Sequence, residues 1–192
     1  MSYTAKIGLS NKHLHLKMED VETLFGKGHT LTHTKDLVQP GQFACEEKVD
    51  IVGPKGVLKG VRVLGPARPE TQVELSMTDA RSIGIKAPIR ESGKVDGTPG
   101  CKIIGPKGEV DLEYGVIVAL RHIHLSSEQA IEAGVKDKQF ISIKVEGERG
   151  LIFNNVLVRA GQAYEREIHL DTDEGNASGC DANSEGTIIN QL

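Results

Sequence analysis

The chain is poor in the residues that most plainly advertise a partner. It has no tryptophan, and aromatic residues make up only 4% of its 192 positions. Proteins that hold nucleic acid by base stacking need aromatic platforms, so that class has little to work with here. No run of lysine and arginine stands out, and 23 basic residues against 27 acidic ones leave a net charge of −4. A surface for nucleic acid or for anionic lipid is therefore not expected. No apolar stretch is long enough for a membrane-spanning helix. Met1-Ser2-Tyr3-Thr4-Ala5-Lys6 leads straight into a strand pattern, with no sign of a signal peptide. Cysteine is scarce and odd in number. Cys45, Cys101 and Cys180 lie far apart and form no CxxC pair, which argues against a disulfide framework and for buried, inert thiols in a reducing compartment.

What the chain does contain is a pair of near-copies of one short motif. Residues 12 to 16 read Lys12-His13-Leu14-His15-Leu16, and residues 121 to 125 read Arg121-His122-Ile123-His124-Leu125. Four of the seven histidines thus sit in two basic-His-apolar-His-Leu pentapeptides. On a strand, alternate side chains point to one face. Both imidazoles of each pair then project together, about 6.5–7 Å apart at the backbone, and can converge on one metal ion. The intervening leucine or isoleucine faces a core. A helix would splay the same histidines apart, so the motif makes metal sense mainly on strands.

The rest of the pattern is β-rich. Ile51-Val52-Gly53-Pro54-Lys55-Gly56 recurs as Ile103-Ile104-Gly105-Pro106-Lys107-Gly108, each a hairpin turn between β-branched runs. A looser version spans Ile143 to Ile152. Short strands at regular spacing with Gly-rich turns predict barrels or sandwiches, not a parallel α/β sheet. Helix signals are brief and follow the histidine pairs. Met18 to Phe25 stops at Gly26, and Ser126-Ser127-Glu128-Gln129 is a capping box opening a helix through Ala133, stopped by Gly134. A third short helix is predicted over Met77 to Ile83. The tail from Glu174 to Asn190 reads as loop plus a final short strand at Gly186 to Asn190. Strand, His-x-His, short helix, glycine stop is therefore a unit repeated 109 residues apart, which predicts two related halves.

Among the remaining histidines, His29 and His33 have helical spacing, but threonines and glycines around them oppose a helix. They read as loop or strand residues. His169, in Arg166-Glu167-Ile168-His169-Leu170, gains interest from its likeness to Arg121-His122-Ile123-His124-Leu125. Glu74 and Arg68, taken alone, read as a solvent-facing strand carboxylate and a surface arginine. Lys12 and Arg121 read as strand residues opposite the ligand face, and Glu19-Asp20 and Asp171-Thr172-Asp173-Glu174 as solvated or helix-start charges.

Several segments together resemble the phosphotransacylases of bacterial microcompartments, the phosphate propanoyltransferase type. They are the two Lys/Arg-His-x-His-Leu motifs, Gln39-Pro40-Gly41-Gln42-Phe43-Ala44, Arg68-Pro69-Glu70-Thr71-Gln72-Val73-Glu74-Leu75-Ser76, and Ile168-His169-Leu170-Asp171-Thr172-Asp173-Glu174-Gly175-Asn176-Ala177. The resemblance covers nearly the whole chain. It implies a mainly β fold of two β-barrel domains related by internal duplication and capped by short α-helices. Residues 1–11 plus 120–192 would form one, discontinuous, and residues 12–119 the other. It also implies two Zn²⁺ per chain and the reaction of acyl-CoA with phosphate to give acyl phosphate and coenzyme A. Acetyl-CoA and propionyl-CoA differ by one methylene, worth about 1 kcal/mol, so sequence does not separate them.

By that resemblance, His13 and His15 hold one zinc, His122, His124 and His169 the other, and Glu74 supplies the carboxylate ligand. Arg68 receives phosphate. Contacts to coenzyme A fall on Ser10, Lys35, Arg62, Leu64 and Asn176 and on the Gln39-Pro40-Gly41 turn. Lys12 stands where the family pattern leads one to expect arginine, which touches only an outer contact. The resemblance further implies a homodimer. With no packaging extension ahead of the first strand, a cytoplasmic enzyme is expected. Two other functions share the metal site: a dinuclear zinc hydrolase of thioesters or phosphoesters, and a zinc-binding scaffold. Five histidines and one glutamate over two metals leave coordination positions open, unlike closed structural sites.

Overall fold

The computed structural model describes residues 3–181 and 183–189. The C-terminal end of the strand expected at Gly186 to Asn190 thus lies outside the described residues. Along the chain, β1 (Thr4–Ser10) buries Ala5 and Ile7 on alternate positions. β2 (His13–His15) turns Leu14 into a core and runs into α1 (Met18–Phe25), followed by the exposed β3 (His33–Asp36). β4 (Phe43–Gly53) and β5 (Gly56–Gly65) form the hairpin expected at the first Gly-Pro-Lys-Gly turn. Then come β6 (Gln72–Glu74), α2 (Met77–Ser82) and β7 (Ile89–Arg90). β8 (Cys101–Ile104) and β9 (Glu109–Leu112) flank the second such turn, and β10 (Val116–Ala119) follows. β11 (His122–Leu125) leads into α3 (Ser127–Glu132), with the capping box between Ser126 and Gln129 in place. β12 (Phe140–Val145) and β13 (Leu151–Ala160) form the third hairpin, and β14 (Glu167–Asp171), α4 (Thr172–Ser178) and β15 (Glu185–Ile189) are the last elements among the described residues.

These elements form two compact units. The first comprises Met1–Asn11, Val38–Pro40 and Leu120–Leu192, the second Lys12–Leu37 and Gly41–Ala119. The fold is mainly β, with four short helices among the described residues. The first unit is a closed barrel in the order β1-β14-β11-β13-β12-β15. The second is a curled open sheet, β7-β10-β6-β2-β5-β4-β8-β9, with β3 added on β4. Each has its own core: Ile7, Ile123, Leu125, Val158, Ile168 and Leu170 belong to one, and Leu14, Leu16, Val49, Ile51, Val63 and Val73 to the other.

The duplication is visible strand by strand. β11 pairs β13 in parallel and β14 antiparallel; β2 pairs β5 in parallel and β6 antiparallel. β14 then pairs β1 in parallel as β6 pairs β10. The units differ at the closing strand. β15 pairs β12 on one edge and β1 on the other, sealing the barrel. Its counterpart β8 pairs β4 and then its own hairpin mate β9, so the second sheet stays open.

The repeated Gly-Pro-Lys-Gly turns each rest on the end of a helix. Lys55 N donates to the Ile83 carbonyl at 2.9 Å just past α2, and Lys107 N to the Leu24 carbonyl at 3.0 Å in the last turn of α1. Last-turn carbonyls lack helical partners, so the turns satisfy them. The approach requires glycine: a Cβ on Gly53 would lie 2.3 Å from the Ile83 carbonyl oxygen, and one on Gly105 2.5 Å from that of Leu24. Gly53→Ala is expected to cost about 1–3 kcal/mol, because the obstacle is backbone and cannot rotate away. Urea unfolding checks this; a loss below about 0.5 kcal/mol, the ordinary surface value, would overturn the packing argument.

Several sequence readings need correction. The segment from Glu174 is not loop at first. Asp171 Oδ1 accepts from Glu174 N at 2.8 Å while Glu174 Oε2 accepts from Asp171 N at 3.0 Å, and this capping box starts α4 despite Gly175 and Asn176. Of the two readings of Glu19-Asp20, helix start holds, both lying in the first turn of α1, but Asp20 is buried, not solvated, and accepts from the Thr71 hydroxyl. Lys12 and Arg121 precede their strands and are tied down, Lys12 to Asp79 and Arg121 to Glu174 and the Asn154 carbonyl. His29 and His33 fall outside helices as expected, bonded to Glu47 and Asp36. The three cysteines are free. Burial pushes the Cys45 thiol up to about 11, with Glu47 adding to it, and the Cys101 thiol up to about 12.

Candidate active site

In the second unit, β2 and β6 lie antiparallel with His13 opposite Glu74 and His15 opposite Gln72. Period-two geometry puts all four side chains on one face, and Leu14 and Val73 on the other, in the core. His13, His15 and Glu74 each bring a ligand atom within 4.8 Å of the others. His13 Nε2 lies 3.5 Å from Glu74 Oε2, and the rings of His13 and His15 meet edge to face at 5.3 Å. The other oxygen of Glu74 is anchored. Its Oε1 accepts from Gln72 Nε2 at 2.6 Å and from the Ser92 hydroxyl at 2.9 Å. Gln72 is held in turn by Gly93 N, which donates to Oε1 at 2.7 Å.

Arg68 joins this group from the loop after β5. Its backbone N–H donates to the Leu16 carbonyl at 2.9 Å. Its guanidinium donates to Ser92 Oγ at 3.4 Å and to Gln42 Oε1 at 3.2 Å. The charge is felt by both neighbours. Burial, then Arg68, then His13 lower His15 to about 3, so this imidazole is neutral at physiological pH. Burial alone would push the Glu74 carboxyl up. His13, His15, the Ser92 hydroxyl and Arg68 outweigh it, and Glu74 stays ionised, well below the usual carboxylate range.

The first unit repeats the platform. β11 and β14 set His122 opposite His169 and His124 opposite Glu167. His122, His124 and His169 again bring ligand atoms within 4.8 Å of one another. The His122 ring meets the Leu120 carbonyl through Nδ1 at 2.8 Å. A carbonyl can only accept, so Nδ1 carries the proton and Nε2 of the neutral ring keeps its lone pair. That Nε2 lies 3.1 Å from His124 Nε2. Burial first, then His122, His169 and Arg159, lower His124 to about 2.

These groups fit a zinc ion chemically. Nδ1 of His15 is buried without a hydrogen-bond partner, a state that costs about 1–3 kcal/mol unless something coordinates the ring. The 3.1 Å between two Nε2 atoms is close to the edge of a tetrahedron with Zn–N of about 2.0–2.1 Å, which is about 3.3 Å. Two sets of three nitrogen or oxygen donors, each short of a fourth, match open zinc sites better than closed structural ones. No cysteine belongs to either set among the described residues.

The residues expected at coenzyme A are spread over both units. In the first, Ser10 ends β1, Asn176 is exposed on α4 and Pro40 is exposed. Gln39 is buried, and its amide is taken up by the Glu165 backbone, donating to the carbonyl at 2.9 Å and accepting from N at 3.3 Å. In the second, Lys35 is exposed on β3 and Gly41 sits at a turn with φ of 75°. Arg62 lies beside His13 in the β2–β5 register and donates to the Cys45 carbonyl, and Leu64 is half-buried near the end of β5.

Residues 6–181 match the profile of the family described as phosphate propanoyltransferase. The chain belongs to the phosphate propanoyltransferase family. Among its relatives of that name, the protein of Thermotoga maritima is 54% identical over 173 residues, covering 90% of this chain and 82% of its own. That of Salmonella typhimurium is 51% identical, covering 91% and 83%, and that of Enterococcus faecalis is 46% identical, covering 97% and 88%. As a phosphate propanoyltransferase family member the chain is an acyltransferase. No described helix is long and apolar enough to cross a membrane.

Sequence reading passed over Gln72, Ser92, Gln42 and Glu167. A signal for two of them exists. Leu14-His15-Leu16-Lys17-Met18-Glu19-Asp20, Val73-Glu74-Leu75-Ser76-Met77-Thr78-Asp79, Ile123-His124-Leu125-Ser126-Ser127-Glu128-Gln129 and Ile168-His169-Leu170-Asp171-Thr172-Asp173-Glu174 are four versions of one strand-to-helix passage. Their second residue is His15, Glu74, His124 or His169. Two positions before it stand His13, Gln72, His122 and Glu167.

Proposed function

We propose that this phosphate propanoyltransferase family member exchanges an acyl group between coenzyme A and inorganic phosphate, with propionyl-CoA or acetyl-CoA as the thioester and two Zn²⁺ per chain as cofactors. The observation that carries the reading is a fixed arginine, Arg68, bonded into the same network as the His13, His15 and Glu74 group. Bound at the two ligand sets, zinc would supply Lewis-acid polarisation of the thioester carbonyl.

The chain's own residues do the rest by binding and orientation. The planar fork of Arg68 takes two phosphate oxygens at once. Gln42 and Ser92 hold the guanidinium so that little freedom is lost when phosphate arrives. A third phosphate oxygen then attacks the carbonyl carbon. The new C–O bond forms, the C–S bond breaks, and the electron pair departs with the sulfur as coenzyme A thiolate. Holding the two reactants together supplies much of the acceleration. No protein nucleophile is required, in keeping with thiols held protonated at Cys45 and Cys101. Ser10, Lys35, Arg62, Leu64, Asn176 and the Gln39-Pro40-Gly41 turn are assigned to coenzyme A.

The test is thiol release from propionyl-CoA and acetyl-CoA by metal-assayed protein, with and without phosphate. Release that requires phosphate and falls away once about two zincs per chain are removed is expected. Equal release without phosphate would replace the reading with a hydrolase, and no release with zinc tightly held would replace it with a binding role. A homodimer and a cytoplasmic location complete the proposal. Three free cysteines support a reducing compartment, and light scattering on the purified protein measures the assembly.

A further inference from the structure

Each unit carries a platform of four residues, and only three of each four are metal donors in the reading above. The fourth corner is Gln72 in one unit and Glu167 in the other, each directly across the sheet from a histidine, His15 or His124. Each is also two residues before a proposed ligand on its own strand and bonds it on the shared face. Gln72 Nε2 donates to Glu74 Oε1 at 2.6 Å. His169 Nε2 lies 2.7 Å from Glu167 Oε2. The corner residue is the chemical complement of its neighbour in both cases: an amide donor beside a carboxylate, a carboxylate acceptor beside an imidazole.

We propose that Glu167 is a positioning residue that fixes the tautomer and orientation of His169 for metal binding. An ionised carboxylate can only accept, so the proton of the contact belongs to His169 Nε2, and Nδ1 keeps the lone pair a metal needs. The carboxylate is itself seated. Gln39 Nε2 reaches Glu167 Oε2 at 3.5 Å while donating more closely to the Glu165 carbonyl. On β1, Gly8 is the register partner of His169, and a Cβ there would lie 2.5 Å from Glu167 Oε1. Gly8 has a φ that any residue could adopt; what its missing side chain provides is room for the carboxylate. Gln39, assigned to coenzyme A by resemblance, is thus given a second role behind the metal set.

This inference rests on the two-zinc reading, and the experiment separates their failures. Full-length protein is titrated with Zn²⁺ against a chromophoric chelator, and with Co²⁺ by visible absorption, in wild type, Glu167→Ala, Glu167→Gln and His124→Ala. Loss of an outer carboxylate partner typically lowers metal affinity 10–100-fold. Glu167→Ala is expected to weaken one of two equivalents by about that factor and to shift the Co²⁺ spectrum. Glu167→Gln, whose Oε1 still accepts from Nε2–H, is expected to recover most of the affinity. His124→Ala is expected to lose the same equivalent outright. If Glu167→Ala binds as wild type while His124→Ala does not, the positioning role is overturned and the metal reading stands. If neither weakens binding, the metal reading of this unit falls, and the inference with it. Complete loss in Glu167→Ala without recovery in Glu167→Gln would make Glu167 a ligand and also overturn the role. Should Glu167→Ala fail to fold, Gly8→Ala displaces the same carboxylate by its new Cβ and is expected to give the same weakening; wild-type affinity in it would overturn the role.

Discussion

Replacing Arg68 with alanine is expected to abolish saturation by phosphate while leaving both zinc equivalents bound. Removing a preorganised charge-stabilising donor costs about 10²–10³ in rate, and loss of a bidentate anion grip belongs at the upper end. The loss should appear in kcat/KM for phosphate. The variant is suited to the question because the backbone bond from residue 68 to the Leu16 carbonyl survives it. Ser92 still donates to Glu74 without the guanidinium. His15 is held neutral by burial first and by Arg68 second, so its imidazole stays available to a metal in the variant. Arg68→Lys keeps the charge but not the fork, and is expected to recover only part of the activity. Normal phosphate saturation in Arg68→Ala, with zinc in place, would remove Arg68 from the reaction.

What could be read from the sequence follows from how far each signal reaches along the chain. His13-Leu14-His15 and His122-Ile123-His124 announce strands because an apolar residue between two histidines satisfies a period of two and nothing else. The Gly-Pro-Lys-Gly turns announce hairpins because few residues can take those positions. Both signals are local. α4 escaped because Gly175 and Asn176 weigh against a helix, and what overrides them is the reciprocal cap of Asp171 and Glu174. Gly175 is there for packing: a Cβ would lie 2.6 Å from the side chain of Leu9. Asp20 starts α1 as one of its two readings had it, but its burial was out of reach because its partner, Thr71, is 51 residues away. Glu74, Gln72 and Glu167 could not be told from ordinary strand polar residues by alternation. Their meaning comes from cross-strand register, which sets Glu74 against His13 and Glu167 against His124. The open edge of the second sheet was equally out of reach, since it depends on which strand wins the edge of β8.

The second large effect is expected from Glu74→Gln, and it separates a metal ligand from a buried structural carboxylate. The change is isosteric. Oε1 can still accept from Gln72 Nε2 and from Ser92 Oγ, so the second unit should fold as before. What is lost is the negative charge and the acceptor character of Oε2, the oxygen 3.5 Å from His13 Nε2. A neutral amide is a poor zinc donor next to a carboxylate. With only His13 and His15 left as donors, affinity for the second unit's zinc should fall by more than the 10–100-fold of an outer-partner change, about 10³-fold. Turnover should fall with zinc occupancy, while the three histidines of the first unit keep their equivalent. Excess Zn²⁺ should restore part of the activity if the loss is one of occupancy, which a defect in folding would not allow. A Glu74→Gln protein that keeps two tight zincs and normal turnover would leave Glu74 only as a buried carboxylate held by Gln72 and Ser92 for stability.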